Sequence, residues 1–490
     1  MGGIVEILVK PPCLNQIVLR EGSTRFTCSE VVYKVQKIAR LILKSGLKRI
    51  ALHADNSAAW ILTDLACQEA DVLCLPLPLF FSAQQRAYAL QSCGIEGVFT
   101  ATPELFAEQF PVSDYIADLP LTLMKTTRAI TPDLPQGTSK VTFTSGSTGT
   151  PKGVCLSATQ QLLQAKALAE AVGIEHPVHL CVLPLSTLLE NIAGVYAPLQ
   201  AGGTVIVKPL HELGFSGSRL VEPQKFLQAL LETRPDSIIL IPQLLHLLVH
   251  AVKQGWKPPP LQFIAVGGSK VSAALITQAR ALGLPVYEGY GLSECASVVS
   301  LNRPSIDEPG SCGKPLAHAH VDIRQGEIVV SGNTMLGYVG EPDSWHPAEI
   351  LTGDLGHFDA QGFLHINGRK KNLLISSYGR NISPEWVESE LLSSPVLAEA
   401  VLFGDARPYC VALLRARHPE TPDALLDAAV SVANSRLPDY ARVKHWVRLD
   451  KSLAEGDGLL TENGRPRRAR IEQKYHQQIE TAYSRNPESL

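Results

Sequence analysis

Apolar residues recur at helical spacing across 29–45, 57–70 and 83–93, and these stretches alternate with short β-like runs at Arg49–His53, Val72–Leu75 and Gly97–Thr100. That rhythm predicts a parallel sheet covered by helices, the α/β class. It repeats through Leu180–Pro184, Thr204–Val207, Ser237–Leu240 and Phe263–Val266, each followed by a helix-like stretch. Between about 320 and 367 the pattern changes. Val321–Arg324, Gly326–Val330 and Gly362–Ile366 read as antiparallel strands joined by glycine turns, a small β-barrel-like subdomain. After Gly368-Arg369, mixed β and α segments run for about a hundred residues, enough for a small second domain. The expected division is 1–370, a large N-terminal domain of stacked α/β subdomains, and 371–490, a small α+β C-terminal domain.

One stretch changes this picture from architecture to chemistry. Residues 142–153 read Thr-Phe-Thr-Ser-Gly-Ser-Thr-Gly-Thr-Pro-Lys-Gly. Gly146, Gly149 and Gly153 let backbone approach an anion, Thr144, Ser145, Ser147 and Thr148 add hydroxyl donors, and Lys152 adds a point charge, a composition suited to a triphosphate. The Walker loop needs Gly and Lys adjacent at a helix start, whereas Pro151 precedes Lys152 here. A Ser/Gly-rich surface turn between the strand-like Lys140–Phe143 and the helical 158–171 is the plain alternative.

Composition removes other classes. With 490 residues, 45% hydrophobic and 19% charged residues and a formal net charge of −3, nothing points to disorder or to a nucleic-acid-binding surface. The ten cysteines include no C-x-x-C pair, and Cys67, Cys74, Cys155 and Cys181 sit in apolar stretches, which favours reduced thiols in a reducing cytoplasm. The N-terminus has no basic region before an apolar one, and Glu6 stands where a myristoylation signal wants Ser or Thr, so the expectation is an untargeted, cytoplasmic protein. The most apolar stretch, Ser237–Val252, is interrupted by Pro242, Gln243 and two histidines and does not qualify as a membrane span. Peripheral membrane contact stays open.

The run 142–153 resembles the signature of the adenylate-forming superfamily: acyl-CoA synthetases, peptide-synthetase adenylation domains and luciferases. Gly289-Tyr290-Gly291-Leu292-Ser293-Glu294, Thr352-Gly353-Asp354-Leu355-Gly356, Gly368-Arg369-Lys370-Lys371 and Asn463-Gly464-Arg465 follow in that family's order. The resemblance spans about residues 22 to 475, and the segment from Gly368 to Ile382 is similar to the long-chain acyl-CoA synthetase branch.

The resemblance implies attack of a carboxylate on the α-phosphorus of ATP, release of pyrophosphate, and an acyl-adenylate. Residues 144–149 and Lys152 would hold the phosphates, and Glu294 with Thr148 would support Mg²⁺. Tyr290, Gly291, Ser293 and Gly268 would border the nucleotide, Asp354 would accept from the ribose hydroxyls, and Arg369 would reach the ribose or α-phosphate. Read without the resemblance, Tyr290 is a core residue, Glu294 a solvated helix-start carboxylate and Asp354 a turn former. Lys371 would be the hinge of a C-terminal lid that rotates between two catalytic poses.

Two departures stand out. The family places a lysine where this chain has Arg465; the charge is kept, but a guanidinium is larger, planar and differently hydrated. Alternatively Arg465 joins Arg467, Arg468 and Arg470 in a solvated basic patch. Thr187 replaces a frequent histidine, and around it Leu188, Leu189, Ile192, Ala193, Gly194, Val195 and Tyr196 form an apolar helix whose small members leave room for an alkyl chain, or simply pack the core. The absence of Asp or Glu from 180 to 189 disfavours an α-amino acid substrate. His246 and His250 lack a third metal ligand and read as packing.

The expected function is ATP- and Mg²⁺-dependent activation of an apolar, fatty-acid-like small-molecule carboxylate, then transfer to coenzyme A or to the phosphopantetheine thiol of an acyl-carrier protein. Ring closure as in a β-lactone synthetase, and nucleotide binding without turnover, are the alternatives.

Overall fold

The computed structural model describes residues 14–115, 119–126, 132–144, 151–217, 219–455, 458–461 and 464–484. Two large sheets form its bulk. One runs in the order Gly337–Tyr338, Lys152–Leu156, Lys140–Thr144, Leu73–Pro76, Arg49–His53, Gly97–Thr100, Thr122–Lys125, Val112–Tyr115. The other runs Lys314–Pro315, Ser297–Leu301, Val286–Leu292, Phe263–Val266, Ser237–Leu240, Val178–Leu180, Thr204–Val207, Ile17–Glu21, Thr24–Thr27, with the six strands from Val286–Leu292 to Ile17–Glu21 parallel.

Helices fill the space between the sheets, and one core draws on both: Leu52, Cys74 and Leu156 from the first, Leu19, Val205 and Phe263 from the second. The helix Cys28–Ser45 shows why these segments fold as they do. Thr27 and Glu30 form a reciprocal capping box, Gly46 ends the helix in the left-handed conformation at φ 73°, and Val31, Val35, Ile38, Ala39 and Ile42 make one buried stripe. Ala58–Glu69 instead buries nearly every side chain, as a helix enclosed on all sides must.

The antiparallel sheet Ala319–Arg324, Glu327–Gly332, Glu349–Phe358, Leu364–Arg369 occupies the place of the expected barrel-like subdomain, and it is an open four-stranded sheet whose outer strands do not pair to close a barrel. Its long strand Glu349–Phe358 was not expected; its Thr-Gly-Asp-Leu-Gly centre reads as a turn, yet Asp354 pairs with Arg369 across a bulge at Leu355/Gly356. After Arg369 comes a smaller unit. Leu397–Phe403, Cys410–Ala416 and Val443–Arg448 form a three-stranded sheet, with Pro384–Leu392 and Asp423–Asn434 over one hydrophobic cluster and Arg468–Lys474 and His476–Tyr483 over another.

Two further expectations are corrected. The strand predicted at Leu180–Pro184 ends at Leu180, because side chains take over its backbone bonding: Leu183 N–H donates to Glu190 (3.0 Å) and Leu183 C=O accepts from Asn56 (2.8 Å). The apolar 237–252 stretch is a strand, Ser237–Leu240, and a helix, Pro242–Lys253, with proline in its first turn; no described helix is long and apolar enough to cross a membrane. Nine cysteines among the described residues are buried thiols.

Charge is buried at one point of this interior. The Lys140 ammonium is fully enclosed, 2.8 Å from Asp64, and also donates to Asn191 and Tyr196, while Tyr196 donates to Asp64 at 2.7 Å. Lys140 opens the strand that leads to the hydroxyl-rich loop, and Asn191 and Tyr196 belong to the π-helical turn Glu190–Tyr196.

His53 supplies a test of burial. Its imidazole lies beside Thr100 and edge-on to Phe106, and burial, helped by Arg86, pulls its pKa down to about 4. A base with a depressed folded pKa binds more protons unfolded, so its stabilisation is lost as pH falls from about 6.5 to about 4, at up to roughly 1.4 kcal/mol per pH unit. Glu288, raised to about 7 by burial, acts in the opposite sense between 4.5 and 7. The difference between wild type and His53→Gln, measured by urea unfolding at pH 7 and pH 4.5, should therefore shrink in favour of the variant at the lower pH.

Candidate active site

Lys152 begins the strand Lys152–Leu156, which pairs antiparallel with Lys140–Thr144 as the second arm of a hairpin, so a strand stands between the hydroxyl-rich run and the helix at Ala158. Ser145, Gly146, Ser147, Thr148 and Gly149 lie outside the described residues. At the hairpin's base the Thr144 hydroxyl donates to Lys152 C=O at 3.5 Å. Gly153 serves packing rather than an anion: a Cβ there would come within 2.8 Å of Val339 and 3.1 Å of Phe143.

The Lys152 ammonium sits 2.9 Å from the Glu341 carboxylate and 4.6 Å from the centre of the Tyr338 ring. The Tyr338 hydroxyl donates to Glu294 at 2.8 Å. Lys152 and Glu294, 142 positions apart in the chain, are thus joined through one aromatic side chain that the sequence reading missed. Glu294 lies on the short 3₁₀ turn Ser293–Cys295, which also carries the half-buried Ser293. That turn is held open by Ala296 at φ 59° and Ser297 at φ 123°, conformations that L-residues adopt only under constraint. Gly291 is required by the same turn: a Cβ would lie 1.8 Å from Ser297 C=O. The neighbouring strand alone is therefore enough to demand glycine here.

Asp354 is 5% exposed and both its oxygens are engaged. Tyr290 O–H donates to one at 2.7 Å and Arg369 Nε to the other at 2.7 Å. Burial and the adjacent carboxylate push the Tyr290 phenol well up. Burial works against the charge of Arg369, but Asp354 more than offsets it. Arg465 arrives from the C-terminal unit and donates to Gly268 C=O at 2.7 Å. Surrounding protein first, then Arg369, lowers its pKa, with Asp354 and Glu385 opposing. Arg369 is thus bonded to the buried carboxylate and Arg465 lies within electrostatic reach of both, a local excess of positive charge that suits an anion. Gly464 precedes Arg465 at φ 73°, and Asn463 lies outside the described residues.

Lys371 is exposed just past the strand Leu364–Arg369, while Lys370 is tied to the subdomain by Glu327 at 3.1 Å and by Gly353 C=O at 2.9 Å. Glu327 also accepts from Gly353 N–H at 3.0 Å, so one carboxylate fixes the turn before Asp354 and the residue before Lys371.

Of the two small residues expected to leave alkyl room, Gly194 does not and Ala193 stays partly open. Leu188, Ile192, Val195 and Tyr196 are buried in the core, and a Cβ on Gly194 would meet Glu190 at 2.3 Å and His179 at 2.9 Å. Gly194 makes way for a buried polar pair, His179 and Glu190 at 3.2 Å. Leu189, Ala193 and Ala265 stay partly open along the seam between the two main hydrophobic clusters. Thr187 turns its hydroxyl back to Pro184 C=O at 2.6 Å. His246 is partly buried, its pKa drawn down to about 4 by burial and then by Arg417, as a packing histidine would be.

Residues 9–339 match the AMP-binding enzyme family and residues 371–487 the AMP-binding enzyme C-terminal domain. The 2-succinylbenzoate–CoA ligase of Bacillus licheniformis is 27% identical over 420 residues, covering 80% of this chain and 84% of that protein. A feruloyl-CoA synthase of an Amycolatopsis species is 29% identical over 434 residues, covering 80% and 82%. The crystal structure of the anthranilate CoA ligase AuaEII with anthranoyl-AMP shares the fold at a TM-score of 0.81 and 17% identity, covering 98% of each chain.

Asp354 is the test of this geometry. Asp354→Ala removes an acceptor of charge-assisted bonds worth about 1.5–3 kcal/mol. ATP affinity by titration calorimetry should fall roughly 10- to 150-fold, while Asp354→Asn should lose less.

Proposed function

We propose that this chain, which belongs to the AMP-binding, adenylate-forming enzymes, is an AMP-forming acid–thiol ligase that activates an apolar carboxylic acid with ATP and passes the acyl group to coenzyme A. The observation that supports this reading is that Asp354 holds both Tyr290 and Arg369 while Arg465, bonded to Gly268 C=O, lies within electrostatic reach of Arg369 and Asp354.

In the first half-reaction a carboxylate oxygen forms a bond to the α-phosphorus and the bond to the pyrophosphate oxygen breaks. Two anions must meet, so cations that strengthen their hold as charge moves onto the bridging oxygens lower the barrier. Arg369 and Arg465 occupy that place. Asp354 keeps Arg369 aimed and retains free lone pairs for ribose hydroxyls. Lys152, released from its exposed pair with Glu341, would follow the triphosphate; such a pair is worth only about 0–1 kcal/mol and offers little resistance. Mg²⁺ draws most of its ligands from phosphates and water, so the single carboxylate of Glu294 fits the requirement, and the ion would neutralise phosphate charge there. In the second half-reaction a thiolate attacks the acyl carbonyl and AMP leaves. The unit beyond Lys371 would act as the lid, with Lys371 its hinge.

Substrate class follows from what the cleft lacks. Glu190, the first carboxylate after 180–189, faces inward onto His179 and Leu183 N–H and is not offered to a substrate ammonium. Leu189, Ala193, Ala265 and Ile241 offer an apolar lining instead. AMP formation with coenzyme A, measured across aryl acids, fatty acids and α-amino acids, should respond to apolar acids only; turnover driven by an amino acid would overturn the assignment.

Arg465 carries a separate expectation. Arg465→Ala should slow carboxylate-dependent pyrophosphate exchange about 100-fold or more, the loss typical of an electrostatic donor, and leave thioester formation from supplied acyl-adenylate largely intact. Arg465→Lys should retain activity. Equal loss in both assays would return Arg465 to a solvated basic patch.

A further inference from the structure

Arg465 hangs on a long side chain, and its productive placement needs the whole C-terminal unit to be seated. The seat is the six-residue connection from the strand Phe263–Val266 to the helix Ala273–Ala281. Gly268 near its start accepts from Arg465. Ser272 at its end donates to Glu390 of the C-terminal helix Pro384–Leu392 at 3.2 Å. Between them Lys270 donates to Ile366 C=O in the strand that leads to Arg369, so the connection is itself anchored to the four-stranded antiparallel sheet.

Glu390 is built for a fixed position. It is 8% exposed, its second oxygen accepts from Arg436 at 2.9 Å, and that same Arg436 nitrogen donates to Ser393 at 2.9 Å. Ser272 is 3% exposed; its oxygen accepts from Ala274 N–H as the helix cap, and because the Glu390 carboxylate can only accept, the Ser272 hydroxyl must be the donor between them. The proton therefore points at Glu390, and the helix dipole adds attraction for that carboxylate. A buried carboxylate would be costly without these partners, so the contact selects one seating of the C-terminal unit.

We infer that Glu390 is a positioning residue for Arg465: by docking on Ser272 it fixes the C-terminal unit where the Arg465 guanidinium reaches Gly268 beside Asp354. The inference rests on the role given to Arg465 above. The two contacts lie four residues apart on one anchored connection, so a shift at Ser272 is a shift at Gly268.

Ser272→Asp tests it, because aspartate caps a helix as well as serine does but sets a carboxylate against Glu390. Pyrophosphate exchange should fall about tenfold in turnover, with the melting temperature held within a few degrees and use of supplied acyl-adenylate within twofold. Adding Glu390→Gln, whose amide can donate to the new aspartate, should recover most of the loss. In a double-mutant cycle, Ser272→Asp combined with Arg465→Ala should be no slower than Arg465→Ala alone, since a misplaced and an absent guanidinium are equivalent. Arg465→Ala crippling exchange while Ser272→Asp leaves it intact, or losses that simply multiply, would overturn the positioning role alone. Exchange unaffected by Arg465→Ala would overturn the Arg465 assignment and the positioning role with it.

Discussion

The buried pair of Lys140 and Asp64 is the constraint on which the rest of the molecule depends. A charge enclosed in protein is tolerable only with a partner, and removing one member typically costs about 3–5 kcal/mol. Lys140 satisfies that demand with partners from two other pieces of chain: Asp64 in the helix between the sheets, and Asn191 and Tyr196 in the π-helical turn. Hydrophobic packing would hold these pieces together with some freedom to slide. Directed bonds to one ammonium do not allow it. The strand that begins at Lys140 ends at Thr144, so the base of the hydroxyl-rich hairpin is placed against the segment that borders the apolar seam.

The site has the same logic at its surface. Asp354 engages both oxygens, with a phenol and a guanidinium, and Arg465 brings a second guanidinium without a second buried carboxylate to match. In a second cluster, Tyr338 ties Glu294 to Lys152. The Asp354 cluster is fixed by buried bonds, whereas Lys152 is held only by an exposed pair with Glu341 and a ring face, so the two clusters differ in how firmly they are set.

Much of this was legible in the chain. Periodicity located the helices and most strands, because burial on one face or two leaves a direct mark on residue order. What was not legible is physically specific. Gly291 looks like a residue cleared for a nucleotide, but the clash it avoids is with Ser297, a contact across a strand pair. The Glu349–Phe358 strand was hidden by its glycines, and the end of the strand at Leu180 by Glu190, whose side chain replaces a neighbouring strand as the acceptor. Tyr338, Glu327 and Glu390 act through partners at least 26 positions away, and no local pattern announces such a partner. Their roles become visible only when the fold brings the partners together.

The guanidinium at position 465 has one more consequence, a matter of chemical durability. An acyl-adenylate is a strong acylating agent, and a primary amine held beside it is a competing nucleophile whenever it sheds its proton. A guanidinium does not deprotonate under these conditions and is far less nucleophilic. If the cleft forms the adenylate proposed for it, this chain keeps a positive charge at the reacting oxygens with a group that its own product cannot readily modify.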